Sequence, residues 1–419
     1  MIRALHRWPG LIALALVTLL ALSGAALSVF PAAERFTAAE APAQMSVADL
    51  AARVQAAYPG VEQIKRAPSG RITAYWFDQD APGGAPAAGK AMASAEPTPV
   101  QRWLTTLHRS LFLDDTGRIV MAAGALAMLV LACSGMLLVA RRAGGWRRWF
   151  APLKGPLASR LHVEIARIAV AGLILSSVTA LWMTASTFDL LPDKAASLGM
   201  PAQVSEQTGL PVAAMEALQN IPVSSLRDLS FPAPDDPTDV FTIKTDEGAG
   251  QIDQGTGALV SWQALGFGEW VTETIYMLHT GRGAAALGLI LGLLSLGVPA
   301  MGVTGVIMWL GARAGRPRIA SNAPAAKAET ILLVGSEGGS TWGFAATLHA
   351  GLRKAGQAVH AAPLSAFEAA RYPKARRFII LAATYGNGDA PQSAKGFIEK
   401  LRKMETAPRA PLAVLGFGD

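Results

Sequence analysis

Four long runs of the chain consist mainly of apolar residues, with few polar positions within each run. An α-helix needs about 20 predominantly apolar residues to cross a lipid bilayer. The four runs that meet this requirement are Leu11–Phe30, Ile119–Ala140, Val163–Met183 and Ala284–Leu310. The pattern therefore predicts four membrane-spanning helices, with a kink or tilt where Pro299 interrupts the last run.

Shorter patterns between these runs predict two external segments that mix helix and strand. Val47–Tyr58 has helical periodicity, and Arg71–Phe77 after it alternates like a strand. In the second segment Asp239–Lys244 alternates like a strand, and the turn residues between Gly248–Ile252 and Ala258–Trp262 predict a hairpin. We expect a small α+β domain from each segment.

The pattern changes again after residue 329, where short apolar strands alternate with helices. This alternation is typical of a doubly wound parallel α/β domain, whose ligands bind at the carboxyl ends of the strands. The predicted strands are Thr330–Val334, Gln357–Ala361, Arg377–Ala383 and Leu412–Leu415, and the predicted helices are Thr341–Ala355 and Gln392–Lys403. Residues 313–328, rich in Ala, Arg and Pro, read as a linker.

Composition and charge support the membrane class and predict the topology. Only 16% of the residues are charged, against about 25% in ordinary soluble proteins. The net charge of +7 comes from basic residues clustered beside the apolar runs, which indicates topology and not nucleic-acid binding. We expect both termini in the cytoplasm, the inner (plasma) membrane as the location, and residues 31–100 and 186–268 outside. The first run reads as an uncleaved anchor; a signal peptide is the alternative.

The membrane part is duplicated, and one histidine precedes each apolar run. Leu107-His108 and Leu278-His279 lead into runs two and four, and His6 and His162 precede runs one and three. Thr-Gly-Arg triplets at residues 116–118 and 280–282 strengthen the likeness of the two halves. The predicted topology places His6 with His162 near the cytoplasmic face and His108 with His279 near the outer face.

Neutral imidazole is a good axial ligand for haem iron, so these pairs predict two b-type haems. The absence of Cys-x-x-Cys-His excludes covalent c-type attachment. On a straight helix His108 would lie about 16 Å above its run, so either that helix begins earlier or His108 is not a ligand. A metal-ion or proton site is the competing interpretation. Small residues in the spans make room for a macrocycle or serve ordinary helix packing: Ser23, Gly24, Gly172, Ser176, Gly288 and Gly292.

Two loops follow strands of the α/β domain and suit a phosphate and a flat ring. The first runs from Gly335 to Thr341 and precedes a helix, whose N-terminus favours an anion. The second follows the third strand and contains Tyr385. The first lacks both the Walker A ending and Gly-x-Gly-x-x-Gly spacing. His349 and His360, elsewhere in this domain, are expected at its surface.

These loops resemble the flavodoxin-like FMN domain of sulfite reductase flavoproteins and cytochrome P450 reductases. Gly335, Ser336 and Gly339 match the first loop of that family, Thr384–Gly388 match its Thr-Tyr-Gly-x-Gly, and Leu415–Asp419 resemble the start of its third loop. The resemblance implies an incomplete FMN-binding domain and a following reductase domain that binds FAD and NADPH. The implied FMN-binding residues are Ser336, Glu337, Gly338, Gly339, Ser340, Thr341, Thr384, Tyr385, Gly386, Asn387, Gly388 and Gly416.

The membrane part resembles the PepSY-associated transmembrane proteins. The likeness rests on His6-Arg7-Trp8, on Leu107-His108-Arg109-Ser110-Leu111 and on the external hairpin with Gly255-Thr256-Gly257. Some members of that family are inner-membrane haem proteins that reduce ferric siderophores, and some are fused to flavoprotein reductases. The resemblance implies electron transfer from NADPH through flavin and haem to an external acceptor such as a ferric siderophore, with membrane lipid around the spans.

The predicted fold class is an all-α four-helix membrane part with small α+β external PepSY-like domains, followed by a partial α/β flavodoxin-like domain. The expected segments are spans at 1–30, 101–142, 161–185 and 269–312, external segments at 31–100 and 186–268, a cytoplasmic loop at 143–160, a linker at 313–328 and the flavin domain at 329–419. A regulatory PepSY-type binding protein with a flavin redox sensor and no haem is the alternative, and haem content separates the two.

Overall fold

The computed structural model describes residues 2–38, 44–75, 98–153, 155–191, 198–199, 201, 203–314, 319–336, 339–383, 394, 396–404 and 410–417, without the side chains of 312–314 and 340. The chain divides into two compact units. One contains Met1–Leu11, Cys133–Ile168 and Ala300–Asp419, and the other contains Ile12–Ala132 and Ala169–Pro299.

The helices and strands follow the predicted order. The helices are α1 Ile2–Ile12, α2 Leu14–Leu27, α3 Val29–Thr37, α4 Val47–Ala57, α5 Pro99–Ser110, α6 Asp114–Ala143, α7 Leu157–Thr187, α8 Glu216–Gln219, α9 Phe267–Thr280, α10 Ala285–Ser295, α11 Gly297–Ala314, α12 Ser340–Lys354 and α13 Phe397–Arg402. The strands are β1 Gln63–Arg66, β2 Ile72–Tyr75, β3 Leu226–Ser230, β4 Val240–Thr245, β5 Gly248–Asp253, β6 Leu259–Ala264, β7 Thr330–Gly335, β8 Val359–Pro363, β9 Arg377–Ala383 and β10 Leu412–Phe417.

Four helical stretches among the described residues are long and apolar enough to cross a membrane. They are Leu14–Thr37, Asp114–Ala143, Leu157–Thr187 and Ala285–Gly311, and each contains most of one predicted run. The fourth is interrupted between α10 and α11. Pro299 lies four residues after Ser295, the last residue of α10, so its ring crowds that carbonyl and removes one helix hydrogen bond. The predicted four-helix membrane part is confirmed.

A turn separates α5 from α6, so His108 does not lie far above the second span on one straight helix. Leu111, Phe112 and Asp114 all adopt left-handed backbone conformations, with φ of 51°, 60° and 46°. The chain folds back so tightly that a Cβ on Gly117 would lie 1.6 Å from the carbonyl oxygen of Ser110. His108 therefore lies on a separate helix, not on an extension of the second span.

The same turn recurs between α9 and α10, but the Thr-Gly-Arg triplets are not its equivalent parts. Gly281 (φ 72°) ends α9, and a Cβ on Gly288 would lie 2.9 Å from its Cα. Gly288 follows His279 at the spacing with which Gly117 follows His108. Gly117 thus corresponds to Gly288, and the likeness of the two triplets is incidental.

The strands of the two segments that were predicted to be external join one six-stranded antiparallel sheet of order β2-β1-β3-β4-β5-β6. Strand β1 of the first segment pairs with β3 of the second, with Ile64 opposite Leu229. Both side chains are fully buried, together with Leu50 of α4. The predicted helix and hairpin are present, but the two segments share a core where we expected one domain from each.

Residues 330–417 contain a parallel sheet of order β10-β9-β7-β8. Numbered from the start of this domain, the order is 4-3-1-2, which is the flavodoxin-type arrangement. All six residues of the central β7 are buried. His349 is also buried, and its Nε2 lies 3.2 Å from the carbonyl oxygen of Val359, so the surface position expected for it is wrong. Removal from water lowers the pKa of His349 and keeps the ring neutral.

Candidate functional site

The four histidines that precede the spans come together as two pairs. In one unit the ring centres of His6 and His162 lie 6.3 Å apart, with the ring planes at 87°. In the other unit the ring centres of His108 and His279 are also 6.3 Å apart, with the planes at 38°. These are the pairs predicted from the sequence; that they bind iron stays a prediction.

The spacing within each pair would allow both imidazoles to bind one iron atom. A metal–nitrogen bond of about 2 Å on each side, plus about 1.1 Å from each nitrogen to its ring centre, separates the centres by about 6.2 Å. Both pairs, at 6.3 Å, match this separation. Stacked aromatic rings that touch directly also fall within about 4.5–7 Å, so the spacing alone does not decide between the two arrangements.

Hydrogen bonds at Nδ1 orient each ring. The Nδ1 atoms of His6 and His108 lie 2.9 and 2.8 Å from the Oγ atoms of Ser134 and Ser23. The Nδ1 atoms of His162 and His279 lie 3.0 and 2.9 Å from the Oγ1 atoms of Thr304 and Thr179. His162 Nδ1 also lies 3.0 Å from the carbonyl oxygen of Met301, and the backbone of Ser176 hydrogen-bonds His279.

The protons in these contacts can be assigned at three of the four rings. Ser23 Oγ donates its one proton to the carbonyl of Leu19 at 2.7 Å, so it accepts the Nδ1–H of His108. Thr179 and Thr304 likewise donate to carbonyls of their own helices. A ring that is protonated at Nδ1 presents the lone pair of Nε2, and this is how metal-ligating histidines are held in proteins.

Glycines give the rings room. A Cβ on Gly24 would lie 3.2 Å from Cε1 of His108, and one on Gly135 would lie 3.1 Å from Cε1 of His6. Each of these glycines follows the serine that bonds the same ring. Gly172 and Gly292 instead meet Leu294 and Ser28, so they serve helix packing. Both interpretations of the small residues therefore apply, each to a different subset.

The repeat explains why the same contacts occur twice. Ser23 follows His6 at the spacing with which Thr179 follows His162. In the first half His6 bonds the second span and His108 bonds the first span. In the second half His162 bonds the fourth span and His279 bonds the third. Each histidine is thus oriented within its own half and paired with the corresponding histidine of the other half.

A cleft lies beside His108 and His279. It encloses about 600 Å³ of empty space, part of which is open to solvent. Its walls are mostly apolar, and two arginines are the charged residues among them. The lining residues are Leu20, His108, Arg109, Arg118, Met121, Ala122, Ala125, Ala180, Met183, Thr184, Thr187 and His279.

The first loop of the α/β domain connects β7 to α12. Ser336 is buried, and its Oγ accepts the backbone N–H of Gly339 at 3.0 Å, which closes the turn. Gly339 has a φ of 88°, a left-handed conformation that favours glycine, and directly precedes α12. Thr341 in the first turn is buried. The amides of that turn and the helix dipole suit a phosphate group.

Strand β9 ends at the same edge of the sheet as this loop. Gly335 of β7 is paired with Ala382 of β9, so both strands reach the same edge of the sheet. Gly416 lies on β10, and Phe417 after it packs against Phe344 of α12 with ring centres 5.0 Å apart. The predicted residues Glu337, Gly338 and Thr384–Gly388 lie outside the described residues, as does the side chain of Ser340.

Comparison with known protein families separates a membrane part from the α/β domain. The profile of the PepSY-associated TM region matches residues 3–312. The chain belongs to the PepSY-associated transmembrane family. In this PepSY-associated protein the flavodoxin profile then matches residues 332–419, from β7 onward. No curated protein matches the chain.

The donor set of this PepSY-associated protein fits haem better than a metal ion bound only by side chains. Within the described part of the chain no three His, Cys, Asp or Glu side chains cluster as metal ligands do. A b-type haem needs only two protein ligands, because the macrocycle supplies the other four. The paired imidazoles, the bonded Nδ1 atoms and the glycines beside Cε1 meet this need, with His6 and His162 for one haem and His108 and His279 for the other.

Of the carboxylates in the four helical stretches, Glu34, Asp114 and Asp115 lie near the ends, so the competing proton-relay interpretation has only Glu164 within an apolar run to draw on. Glu164 lies one turn before Arg167 on α7, and their side chains form an ion pair of 2.9 Å. Arg167 also donates to the carbonyl oxygen of Ala151 at 2.9 Å. Glu164 is thereby engaged in compensating a buried guanidinium, which makes it a poor proton carrier.

Sequence reasoning found the histidines but missed the residues that orient them. Ser23 stood out only as a small residue, and Ser134, Thr179 and Thr304 did not stand out as partners of the histidines. The available signal was a hydroxyl residue, in three cases followed by glycine, at one position of each span. A histidine that must present Nε2 needs such a partner for Nδ1.

Proposed function

We propose that this PepSY-associated protein transfers electrons across the membrane, from reduced flavin in the α/β domain through two b-type haems to an external acceptor. One observation carries the proposal: two repeat-related histidine pairs, each with ring centres 6.3 Å apart. In both pairs Nδ1 is hydrogen-bonded, so Nε2 is the atom that would bind iron. Haem iron supplies one-electron transfer when it is bound.

The chain's own residues bind and orient in this scheme. Ser23, Thr179 and Thr304 fix the imidazole tautomer and the direction of Nε2. Such outer contacts are worth about 10- to 100-fold in metal affinity. Gly24 and Gly135 leave the rings the space to turn toward a shared ligand.

The α/β domain supplies the entry point for electrons. Ser336, Gly339 and the first turn of α12 would hold the phosphate of FMN. A flavin takes up two electrons as a hydride equivalent and releases them one at a time, which suits it to stand between NADPH and haem. We expect the hydride to arrive through FAD in an associated reductase domain.

The basic residues support an inner-membrane orientation with the flavin domain in the cytoplasm. Arg141 and Arg142 end α6, and Arg147 and Arg148 follow in the connection to α7. Positive residues near the ends of spans favour the cytoplasmic side. The sheet β1–β6 then faces outward, and we propose a ferric siderophore as the class of acceptor reduced there.

Absorption spectra of the purified protein before and after reduction with dithionite test the haem assignment. We expect a sharp b-type band from two haems per chain. His6→Ala and His162→Ala should each remove one haem, and the double variant should remove no more than either single one. His108→Ala and His279→Ala should behave likewise for the other haem. His349→Ala, which changes a histidine of the flavin domain, is the matched control. A protein without haem from haem-supplied cells would overturn the proposal.

A further inference from the structure

The cleft beside His108 and His279 is divided into an apolar part and a cationic part. Met121, Ala122 and Ala125 of α6 contribute apolar wall, and Arg109 and Arg118 contribute the only formal charges among its lining residues. Arg109 follows His108 directly on α5, and Arg118 lies in the first turns of α6. The turn between these helices therefore brings both guanidinium groups to the cleft that holds the histidine pair.

Arg118 has hydrogen-bonding capacity left over. Its Nη1 donates to Asp115 at 2.7 Å, an intrahelical ion pair. Its Nε is shielded from solvent and has no hydrogen-bond partner in the described part of the chain. A buried donor without an acceptor is unfavourable, so the position favours a ligand that brings an acceptor oxygen. Asp115 is mostly exposed and occupies one edge of the guanidinium only.

Arg109 has no carboxylate partner among the described residues, and its side chain is exposed at the cleft. Two guanidinium groups in one cleft repel each other and attract anions. Guanidinium pairs best with carboxylate or phosphate, because its planar fork matches their two oxygens. The ligand of this cleft should therefore carry an apolar body and at least one carboxylate or phosphate.

We propose that Arg118 and Arg109 form a carboxylate subsite that binds the propionate groups of the haem between His108 and His279. This inference rests on the proposed function, because it assumes a haem at this pair. The apolar part of the cleft matches the apolar ring of haem, and its two arginines complement the anionic edge. The subsite assigns the two arginines a role in holding the haem, distinct from that of the histidines that would bind its iron.

The test uses a chain that carries only this haem. In a His6→Ala/His162→Ala background, the apoprotein is titrated in detergent with haem b and, separately, with haem b whose propionates are methyl esters. We expect Arg118→Gln to weaken binding of haem b about 10- to 100-fold, as for loss of a charge-assisted hydrogen bond. Arg109→Gln should weaken it less, because this side chain is more exposed. The dimethyl ester should bind wild-type and Arg118→Gln chains equally.

Arg282→Gln is the matched control. Arg282 follows the turn after His279 and bonds the hydroxyl of Tyr276 at 3.1 Å, but it does not line the cleft. Its replacement should leave both titrations unchanged. Arg118→Lys should restore part of the affinity for haem b, since it keeps the charge and loses the fork.

The outcomes separate this inference from the proposed function. If haem b binds and Arg118→Gln does not weaken its binding, the propionate subsite is wrong and the haem site stands. The same conclusion follows if Arg118→Gln weakens binding of the dimethyl ester as much as binding of haem b. If neither form binds at this histidine pair, both fail. If adding anionic-lipid vesicles removes the difference between Arg118→Gln and wild type, a lipid phosphate occupies the arginines, and the subsite is again wrong.

Discussion

Replacement of Ser23 by alanine tests whether the Nδ1 contacts orient the histidines for iron. Ser23 Oγ accepts the Nδ1–H of His108 at 2.8 Å. Alanine removes the acceptor and leaves the ring free to rotate about its side-chain bonds. An orphaned buried donor costs about 1–3 kcal/mol. Loss of an outer contact to a ligating histidine costs about 10- to 100-fold in affinity, or about 1.4–2.7 kcal/mol. The two figures agree, and we expect a loss within this range.

His162, which belongs to the other histidine pair, provides a graded comparison. His162 Nδ1 has two acceptors, Thr304 Oγ1 and the carbonyl oxygen of Met301, both at 3.0 Å. Thr304→Val leaves the carbonyl in place, so the ring keeps its tautomer. We expect Thr304→Val to weaken haem binding several-fold less than Ser23→Ala does.

The assay is titration of the apoprotein with haem b, followed by the b-type absorption band. Ser23→Ala is measured in a background without His6 and His162, and Thr304→Val in one without His108 and His279. Ser28→Ala is the control, because Ser28 lies on the same span and its hydroxyl donates to the carbonyl oxygen of Ala25, not to a histidine. Unchanged affinity in Ser23→Ala, or a larger loss in Thr304→Val, would show that the Nδ1 contacts do not orient the histidines for iron.

Three further predictions concern separate parts of the molecule. Gly135→Leu should abolish the haem of the His6 pair, since even a Cβ would lie 3.1 Å from the His6 ring, whereas Gly311→Leu, where nothing lies within 4 Å, should retain it; haem content per chain decides. Gly339→Val should lower FMN content, because a β-branched residue is strained at a φ of 88°. Gly343→Ala, on an open face of α12, should keep the FMN content. The fluorescence of flavin released from each purified variant measures this content. Asp253→Ala should destabilise the six-stranded sheet by about 3 kcal/mol, since Asp253 is buried and accepts hydrogen bonds from Ser205 and Thr256. Thermal unfolding in detergent measures this loss, and Asp235→Ala should remain near wild type. Burial alone would raise the pKa of Asp253, but these hydrogen bonds outweigh it and hold the pKa well below its usual value, so this stability is present above pH of about 3.9 and is lost as the pH falls through the folded-state pKa.

The sequence predicted those parts of the fold that depend on local patterns. Membrane spans and the buried strand β7 follow from apolar runs alone, because removal from water dominates their placement. The turn at Leu111–Asp114 did not follow, since three non-glycine residues hold left-handed conformations that local preference disfavours. Its counterpart at Gly281 carries the expected glycine. The tight contact of Gly117 with Ser110 enforces the first turn from a distance along the chain.

Pairing between distant segments was the other feature beyond reach. Strand β1 joins β3 across more than a hundred residues, and four-residue strands such as β1 carry little information on their partners. The histidine pairs, in contrast, followed from the repeat and the topology, because a duplicated unit places equivalent residues together. What the pattern did not show was the hydroxyl partner at each Nδ1, since Ser and Thr in membrane helices also bond their own backbone.

Electron transfer across a sealed membrane is the activity that the proposed function requires. The protein is reconstituted into liposomes that contain ferricyanide, and photoreduced FMN, whose phosphate keeps it outside, is added as donor. We expect bleaching of the enclosed ferricyanide in the wild type. His6→Ala, His162→Ala, His108→Ala and His279→Ala should each abolish it, while His349→Ala should leave its rate unchanged. Equal rates in the wild type and the four variants, or no bleaching by a protein loaded with both haems, would show that electrons do not pass through the two histidine pairs.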